Sequence, residues 1–160
     1  MKVFEQSLTV GRTGKNESGQ LGQDASTTEV KAFCKINVPT TSKISQVECG
    51  YNYTLVVAGT KVYGCGDNQY GQLGIEPRRV YEMVEIISLF EEIRVSCGRL
   101  HTIIHLVKSN QVLVSGANND GQLGIGSKAN AVRKFTPYDF RFGSRISHVL
   151  CGRGSSVSSS

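Results

Sequence analysis

Three stretches of this chain share one phrase: NESGQLG at residues 16–22, NQYGQLG at 68–74 and NNDGQLG at 118–124. The first glycines of the three GQLG motifs are Gly19, Gly71 and Gly121, which lie 52 and 50 residues apart. A fixed period of this length is typical of a repeat architecture. Repeat proteins present a surface more often than they perform chemistry, so the period also bears on function.

A second phrase recurs out of step with the first and ends each time in Cys-Gly, at residues 44–50, 93–98 and 146–152. Apolar residues in these stretches alternate or come in short runs, which indicates strands. Further strands are predicted at 53–58, 61–65, 101–107 and 111–115. Each unit then holds about four short strands, and four-stranded antiparallel blades arranged radially form a β-propeller. The predicted fold is therefore all-β, an incomplete or open arc of about three blades.

Residues 1–160 are expected to form a single repeat array. Its approximate units are 1–43, 44–92 and 93–145, with the degenerate start of a further unit at 146–160. Residues 79–93 could be helical, but their place between GQLG and the next Cys-Gly strand favours a strand plus a turn. The serine-rich end, 154–160, is expected to fray.

The recurring residues have structural explanations. The first glycine of GQLG supplies the positive φ of a tight turn, the preceding Asn caps backbone groups, the Leu anchors the turn, and the second glycine allows close approach. The cysteine of each Cys-Gly is predicted to act as a small hydrophobic residue, in successive blades. The predicted structural positions are Asn16, Gly19, Leu21, Gly22, Asn68, Gly71, Leu73, Gly74, Asn118, Gly121, Leu123, Gly124, Cys49, Gly50, Cys97, Gly98, His101, Cys151 and Gly152.

The stretches VYGCGDNQYGQLG (62–74) and CGRLHT (97–102) resemble the two signatures of the regulator of chromosome condensation repeat family, V-Y-x-W-G-x-N-x-x-G-Q-L-G and I-x-x-V-x-C-G-x-x-H-T-x-x-L. The resemblance covers nearly the whole chain. The family's Trp is absent, its position being taken by Thr13, Cys65 and Ser115. The family's His is kept only at His101, with Tyr53 and Ser155 at the equivalent positions.

The resemblance implies a seven-bladed propeller, whereas three blades cannot close a ring of the usual size. The chain is then a fragment of a longer product, part of an oligomeric ring, or an open arc capped by a partner. Open strand edges invite pairing with another chain, so self-association through the blade edges is expected.

The net charge of +5 is concentrated in residues 127–160, which hold six basic residues against Asp139. This segment either solvates loop faces or contacts an acidic partner or nucleic-acid phosphate. The possible basic contact surface comprises Lys128, Arg133, Lys134, Arg141, Arg145 and Arg153.

No catalytic, cofactor-binding or metal site is predicted. The chain lacks C-x-x-C spacing, a Walker A loop and a complete G-x-G-x-x-G motif, and the simplest role for His101 is to brace a neighbouring loop through a hydrogen bond. The start lacks the apolar core of a signal peptide, and no apolar stretch is long enough to span a bilayer. With five cysteines, these features indicate an intracellular protein, cytoplasmic or nuclear and not secreted.

The predicted function is a non-catalytic scaffold for protein–protein interaction that needs no cofactor. The resemblance implies an alternative, a guanine-nucleotide exchange factor-like regulator of a small Ran-type GTPase. Weak contact with nucleic acid or chromatin through the basic segment is a third possibility, and an ordinary enzyme ranks last.

Overall fold

The computed structural model describes residues 10–127, 129–138 and 145–159. These residues form β-strands joined by turns and include no helix, which confirms the all-β prediction. The strands are β1 (Gly11–Lys15), β2 (Glu29–Lys35), β3 (Ile44–Cys49), β4 (Tyr53–Ala58), β5 (Lys61–Gly66), β6 (Val80–Ser88), β7 (Ile93–Cys97), β8 (His101–Leu106), β9 (Gln111–Ala117), β10 (Ala131–Tyr138), β11 (His148–Cys151) and β12 (Ser156–Ser159).

Two complete blades lie in the middle of the chain. Blade I is the sheet β3–β4–β5–β6 and blade II is the sheet β7–β8–β9–β10, with all neighbouring strands antiparallel. A two-stranded sheet lies on either side: the leading half-blade, β1–β2, and the trailing half-blade, β11–β12. The four sheets contain the strands of three blades, in agreement with the predicted open arc.

The half-blades are complementary parts of the unit. GQLG follows β1 as it follows β5 and β9, so β1 and β2 are the third and fourth strands of a blade. By the same comparison, β11 and β12 are a first and a second strand. Among the described residues β1 pairs with β2 alone and β12 with β11 alone. Self-association through these edges stays a prediction.

The core consists of layers between successive sheets. Strand β4 is buried along its whole length because it has a sheet on each side. Since side chains alternate across a strand, Leu55 and Val57 pack in the layer shared with blade II, while Val56 and Ala58 face the leading half-blade. A third layer lies between blade II and the trailing half-blade and contains Ile103. The first strands β3, β7 and β11 lie side by side on the inner edge of the arc.

Two local predictions have different outcomes. The segment 79–93 is a strand and a turn, as predicted, because its apolar residues pair with β5 over Val80–Ser88. The prediction that the serine-rich end frays is wrong for residues 156–159. Strand β12 pairs with β11 in regular register, from Cys151 opposite Ser156 to His148 opposite Ser159. A β-ladder uses backbone groups, so small polar side chains do not prevent it.

Candidate functional site

The asparagine before each GQLG motif organises the loop around it. Asn68 is fully buried. Its Oδ1 accepts a hydrogen bond from the Leu73 backbone N–H at 2.9 Å, and its amide donates to the carbonyls of Ile75 (3.1 Å) and Glu76 (2.9 Å). Asn16 and Asn118 make the same type of bonds in their own loops.

The glycine and leucine of GQLG also lie as their pattern indicates. The first glycines, Gly19, Gly71 and Gly121, have φ of 81°, 83° and 72°. These angles lie in the left-handed region that glycine tolerates best. Leu73 and Leu123 are fully buried, whereas Leu21 is only half-buried because the leading half-blade has two strands.

The GQLG turn of one repeat is bonded to the following repeat. The Thr54 hydroxyl in blade I donates to the carbonyl of Gln20 at 2.7 Å, and the Thr102 hydroxyl in blade II donates to the carbonyl of Gln72 at 2.7 Å. Cys65, which stands where the family has Trp, is buried and directs its thiol at the Gln20 carbonyl at 3.5 Å. These bonds join successive blades through main-chain acceptors.

The first residue of the second strand of a blade, Tyr53 in β4 and His101 in β8, also makes hydrogen bonds to the next repeat. The buried Tyr53 hydroxyl donates to the carbonyl of His101 at 2.5 Å, and its oxygen lies 3.1 Å from the Thr102 hydroxyl oxygen. His101 Nε2 lies 2.9 Å from the hydroxyl of Ser156 in the trailing half-blade. Burial lowers the pKa of His101, which favours the neutral imidazole. The position fits a bracing role for His101, which stays a prediction.

The Cys-Gly phrases form three equivalent turns at one end of the array. The backbone N–H of Gly50, Gly98 and Gly152 donates to the carbonyl three residues later at 2.9, 2.8 and 2.8 Å. Gly98 lies directly against the His101 ring, which leaves no room for a Cβ. We call this end, which also carries the GQLG loops, the Cys-Gly face. The hairpins at 59–60 and 107–110 lie at the opposite face.

A groove runs across the three turns on the Cys-Gly face. This Cys-Gly groove is lined by residues 49–51, 97–99 and 151–153, one set from each of three successive sheets. Tyr51, Arg99 and Arg153 occupy the same position in the three turns and are exposed. The Tyr51 N–H donates to the Arg99 carbonyl at 3.3 Å, and the guanidinium of Arg99 lies 5.0 Å from the centre of the Tyr51 ring. The sequence signal for this group was the residue that follows each Cys-Gly, a position whose importance was missed.

The proposed basic surface is dispersed in the structure. Arg153 lies in the Cys-Gly groove, whereas the Arg145 guanidinium donates to the Val107 carbonyl (2.9 Å) near the opposite face. Arg133 and Lys134 lie on β10, where the Lys134 ammonium lies 3.0 Å from the Glu76 carboxylate. Lys128 and Arg141 lie outside the described residues. The structure therefore does not gather the four described members into one patch.

The cysteines of Cys-Gly differ in environment despite their equivalent positions. Cys97 is buried, Cys151 is half-buried and Cys49 is exposed, so the prediction of a small buried hydrophobe is wrong for Cys49. Cys97 lies on β7, which has a first strand on each side, β3 and β11. Cys49 ends β3, which has β7 on one side only, because the leading half-blade consists of a third and a fourth strand.

We expect two fast-reacting thiols in the folded protein. Cys34 and Cys49 are exposed. Burial raises the pKa of Cys65 to about 12 and also raises the pKa of Cys97 and Cys151. A higher pKa lowers the fraction of reactive thiolate. Ellman's reagent should show a fast phase that the double substitution Cys34→Ser, Cys49→Ser removes, with the other thiols released on denaturation. Fast labelling of Cys97 in the native state would contradict this expectation.

Two negative findings concern the described ranges only. No group of three or more His, Cys, Asp or Glu side chains within 10–127, 129–138 and 145–159 is arranged to hold a metal ion. In the same ranges, no helix has the length and apolar character needed to cross a membrane.

Comparisons with known proteins agree with the repeat pattern. The family model described as "Regulator of chromosome condensation (RCC1) repeat" matches residues 13–57, 61–104 and 109–158. The chain is 31% identical over 121 residues to the dog (Canis lupus familiaris) "X-linked retinitis pigmentosa GTPase regulator", covering 73% of this chain and 12% of that protein. It is 35% identical over 151 residues to human "Probable E3 ubiquitin-protein ligase HERC3", covering 88% of this chain and 14% of that protein.

A solved structure has the same fold. Prp20p from Saccharomyces cerevisiae, described with its binding to Gsp1p and histones, superposes with a TM-score of 0.81 at 18% identity. The match covers 94% of this chain and 39% of that one. The chain thus spans only a small part of the relatives it matches.

Proposed function

Because this chain belongs to the regulator of chromosome condensation repeat family, we propose that it is a non-catalytic protein-binding module, a scaffold that holds its partner on the Cys-Gly face. The observation that carries this proposal is the row of three equivalent turns that present Tyr51, Arg99 and Arg153 to solvent on hydrogen-bonded backbone. Aromatic and arginine side chains are the residues most enriched at binding hot spots.

The motif residues support this division between framework and surface. Asn68, Gln72, Thr102 and His101 are buried, and they are bonded within or between repeats. Polar groups engaged in this way stabilise the blades and leave the exposed turn residues for recognition. The exposed free thiols of Cys34 and Cys49 suit a reducing compartment, which supports an intracellular location as part of the proposal.

The proposal is tested with a photo-crosslinking amino acid, benzoylphenylalanine, at two aromatic positions. Tyr51 lies on the Cys-Gly face with 63% of its surface exposed, and Phe90 lies at the opposite face and is fully exposed. In extract of the native tissue, we expect a discrete protein adduct from position 51 that unlabelled chain competes away, and no such adduct from position 90. Equal labelling at both positions, or none at position 51, would contradict the proposal.

A second candidate is regulation of a small Ran-type GTPase, by loops that open the nucleotide site. It is favoured by the name of the dog relative, a GTPase regulator, and by the description of Prp20p with Gsp1p. Both are much longer than this chain, so their activities come to it only as a proposal. Release of a fluorescent GDP from Ran-type GTPases separates the two candidates: acceleration by this chain would establish the second and a flat trace would remove it.

Contact with nucleic acid or chromatin is supported least. The description of Prp20p includes histones. On this chain, however, Arg145, Arg153 and the pair Arg133 and Lys134 lie in different places, and phosphate binding needs a continuous basic footprint.

A further inference from the structure

We propose that Arg99 and Arg153 together form a subsite for side-chain carboxylates of an acidic segment in a protein partner. The inference rests on the proposed function, since it supplies the chemistry of the partner that the Cys-Gly face would hold. It concerns the Cys-Gly groove, where the two arginines come from successive sheets.

The two arginines occupy equivalent positions in hydrogen-bonded turns. Each follows a glycine whose N–H donates to a carbonyl at 2.8 Å, His101 in one turn and Ser155 in the other. The two turns are also joined to each other through His101 Nε2 and the Ser156 hydroxyl, 2.9 Å apart. Two guanidinium groups on fixed, neighbouring turns can engage neighbouring carboxylates with little loss of backbone entropy.

Neither arginine forms an ion pair within the described residues. Neither has a carboxylate oxygen within 4.0 Å, in contrast to Arg94, which lies 3.4 Å from Glu92. The guanidinium of Arg99 lies over the Tyr51 ring, 5.0 Å from its centre. Stacking on an aromatic face orients a guanidinium and leaves its N–H groups available for an acceptor.

The acidic residues nearby indicate where the ligand lies. The lining of the Cys-Gly groove includes no Asp or Glu. Asp120, by contrast, lines an adjoining groove that shares Arg99 and Arg153. Like charges repel, so the carboxylates of a bound segment are expected in the Cys-Gly groove and not beside Asp120.

An acidic peptide fits this site better than a nucleic acid. Within the Cys-Gly groove, the positive charge comes from two arginines beside one tyrosine. Of the other basic residues considered above, Lys134 is paired with Glu76 and Arg145 lies near the opposite face. A duplex would need positive charge along several phosphates, whereas two arginines suffice for a pair of carboxylates.

Fluorescence anisotropy with a labelled Glu-Gly peptide tests the inference. We expect saturable binding of this peptide to the whole chain, and no binding of the same peptide with Gln in place of Glu. The double substitution Arg99→Ala, Arg153→Ala should weaken binding at least about tenfold, because hydrogen bonds to charged groups are lost. Lys43→Ala is the matched control, since Lys43 is exposed and lies before β3 at the opposite face, and it should leave binding unchanged. Circular dichroism verifies that each variant is folded.

The conservative substitution Arg99→Lys, Arg153→Lys should restore part of the affinity, because charge is kept but the two-pronged donor geometry is lost. Equal binding by the parent chain and the alanine variant would overturn the inference, as would equal binding of the Glu and Gln peptides. Tighter binding of a DNA duplex than of the Glu peptide, lost in the alanine variant, would also overturn it. A specific adduct at position 51 without Glu-peptide binding would defeat this inference alone, whereas Arg-dependent Glu-peptide binding without that adduct would defeat the proposed function.

Discussion

Substitution of Gly71 by alanine is expected to lower the free energy of unfolding by about 2–5 kcal/mol. Part of this loss, about 1–2 kcal/mol, is the cost of an L-residue at a φ of 83°. The rest, about 1–3 kcal/mol, is overpacking, since a Cβ at Gly71 would lie 2.7 Å from the carbonyl oxygen of Arg133 and closer still to its Cα. No side-chain rotation relieves a contact with backbone, so β10 would have to move.

Gly121→Ala is the matched control for Gly71→Ala. Gly121 is the same residue of the same motif, with a φ of 72°, but no described heavy atom lies within 4 Å of the added Cβ. It should lose only the strain cost of about 1–2 kcal/mol. Urea unfolding followed by circular dichroism measures both variants. Losses of equal size would show that contact between repeats does not decide the role of this glycine.

The second large effect is expected from Asn68→Ala, which should cost about 3 kcal/mol or more. The substitution leaves the buried Leu73 N–H without its partner, and it also removes the donor from the part-buried carbonyls of Ile75 and Glu76. Each unsatisfied buried group costs about 1–3 kcal/mol. Asn119, an exposed residue of the third loop, is the control, and Asn119→Ala should change stability by less than about 0.5 kcal/mol.

Asn68→Asp separates lost hydrogen bonds from lost packing. One oxygen of the new carboxyl group would face the carbonyls of Ile75 and Glu76, so the protonated form, which can donate, is favoured and the folded-state pKa rises. A raised folded pKa gives stability that is present below the unfolded value of about 3.9 and is lost as pH rises through the folded value. The variant should therefore approach the parent at low pH, and a pH-independent deficit would contradict the hydrogen-bond account.

The fold could be predicted from the sequence because its signals are local. The glycine and asparagine of NQYGQLG specify a turn by their own backbone and side-chain chemistry, and the structure has them in those roles at Asn68 and Gly71. The strand at 80–88 followed from its place between GQLG and the next Cys-Gly strand. The serine-rich strand β12 could not be predicted, because its order comes from backbone pairing with β11 and not from its side chains.

The candidate site is a property of neighbouring repeats, which explains why it was missed. Arg153 was assigned to a basic segment because it lies near other basic residues in sequence. Its spatial neighbour is Arg99, in the preceding repeat, and the structure shows this because equivalent turns of adjacent blades lie side by side. Sequence proximity thus predicted the wrong spatial neighbours for Arg153. An alignment of the repeats against one another would have predicted this pairing, because Arg99 and Arg153 both follow Cys-Gly.

The carbonyls of Gln20 and Gln72 each accept a hydrogen bond from a threonine hydroxyl of the next blade, so these bonds hold successive blades against each other. The Cys-Gly groove spans three sheets, so its width depends on the angle between blades and not on the shape of any one loop. The affinity of a ligand bound in the groove would therefore depend on that angle. Replacement of Thr54 or Thr102 would then be expected to change the width of the groove without touching a residue that lines it.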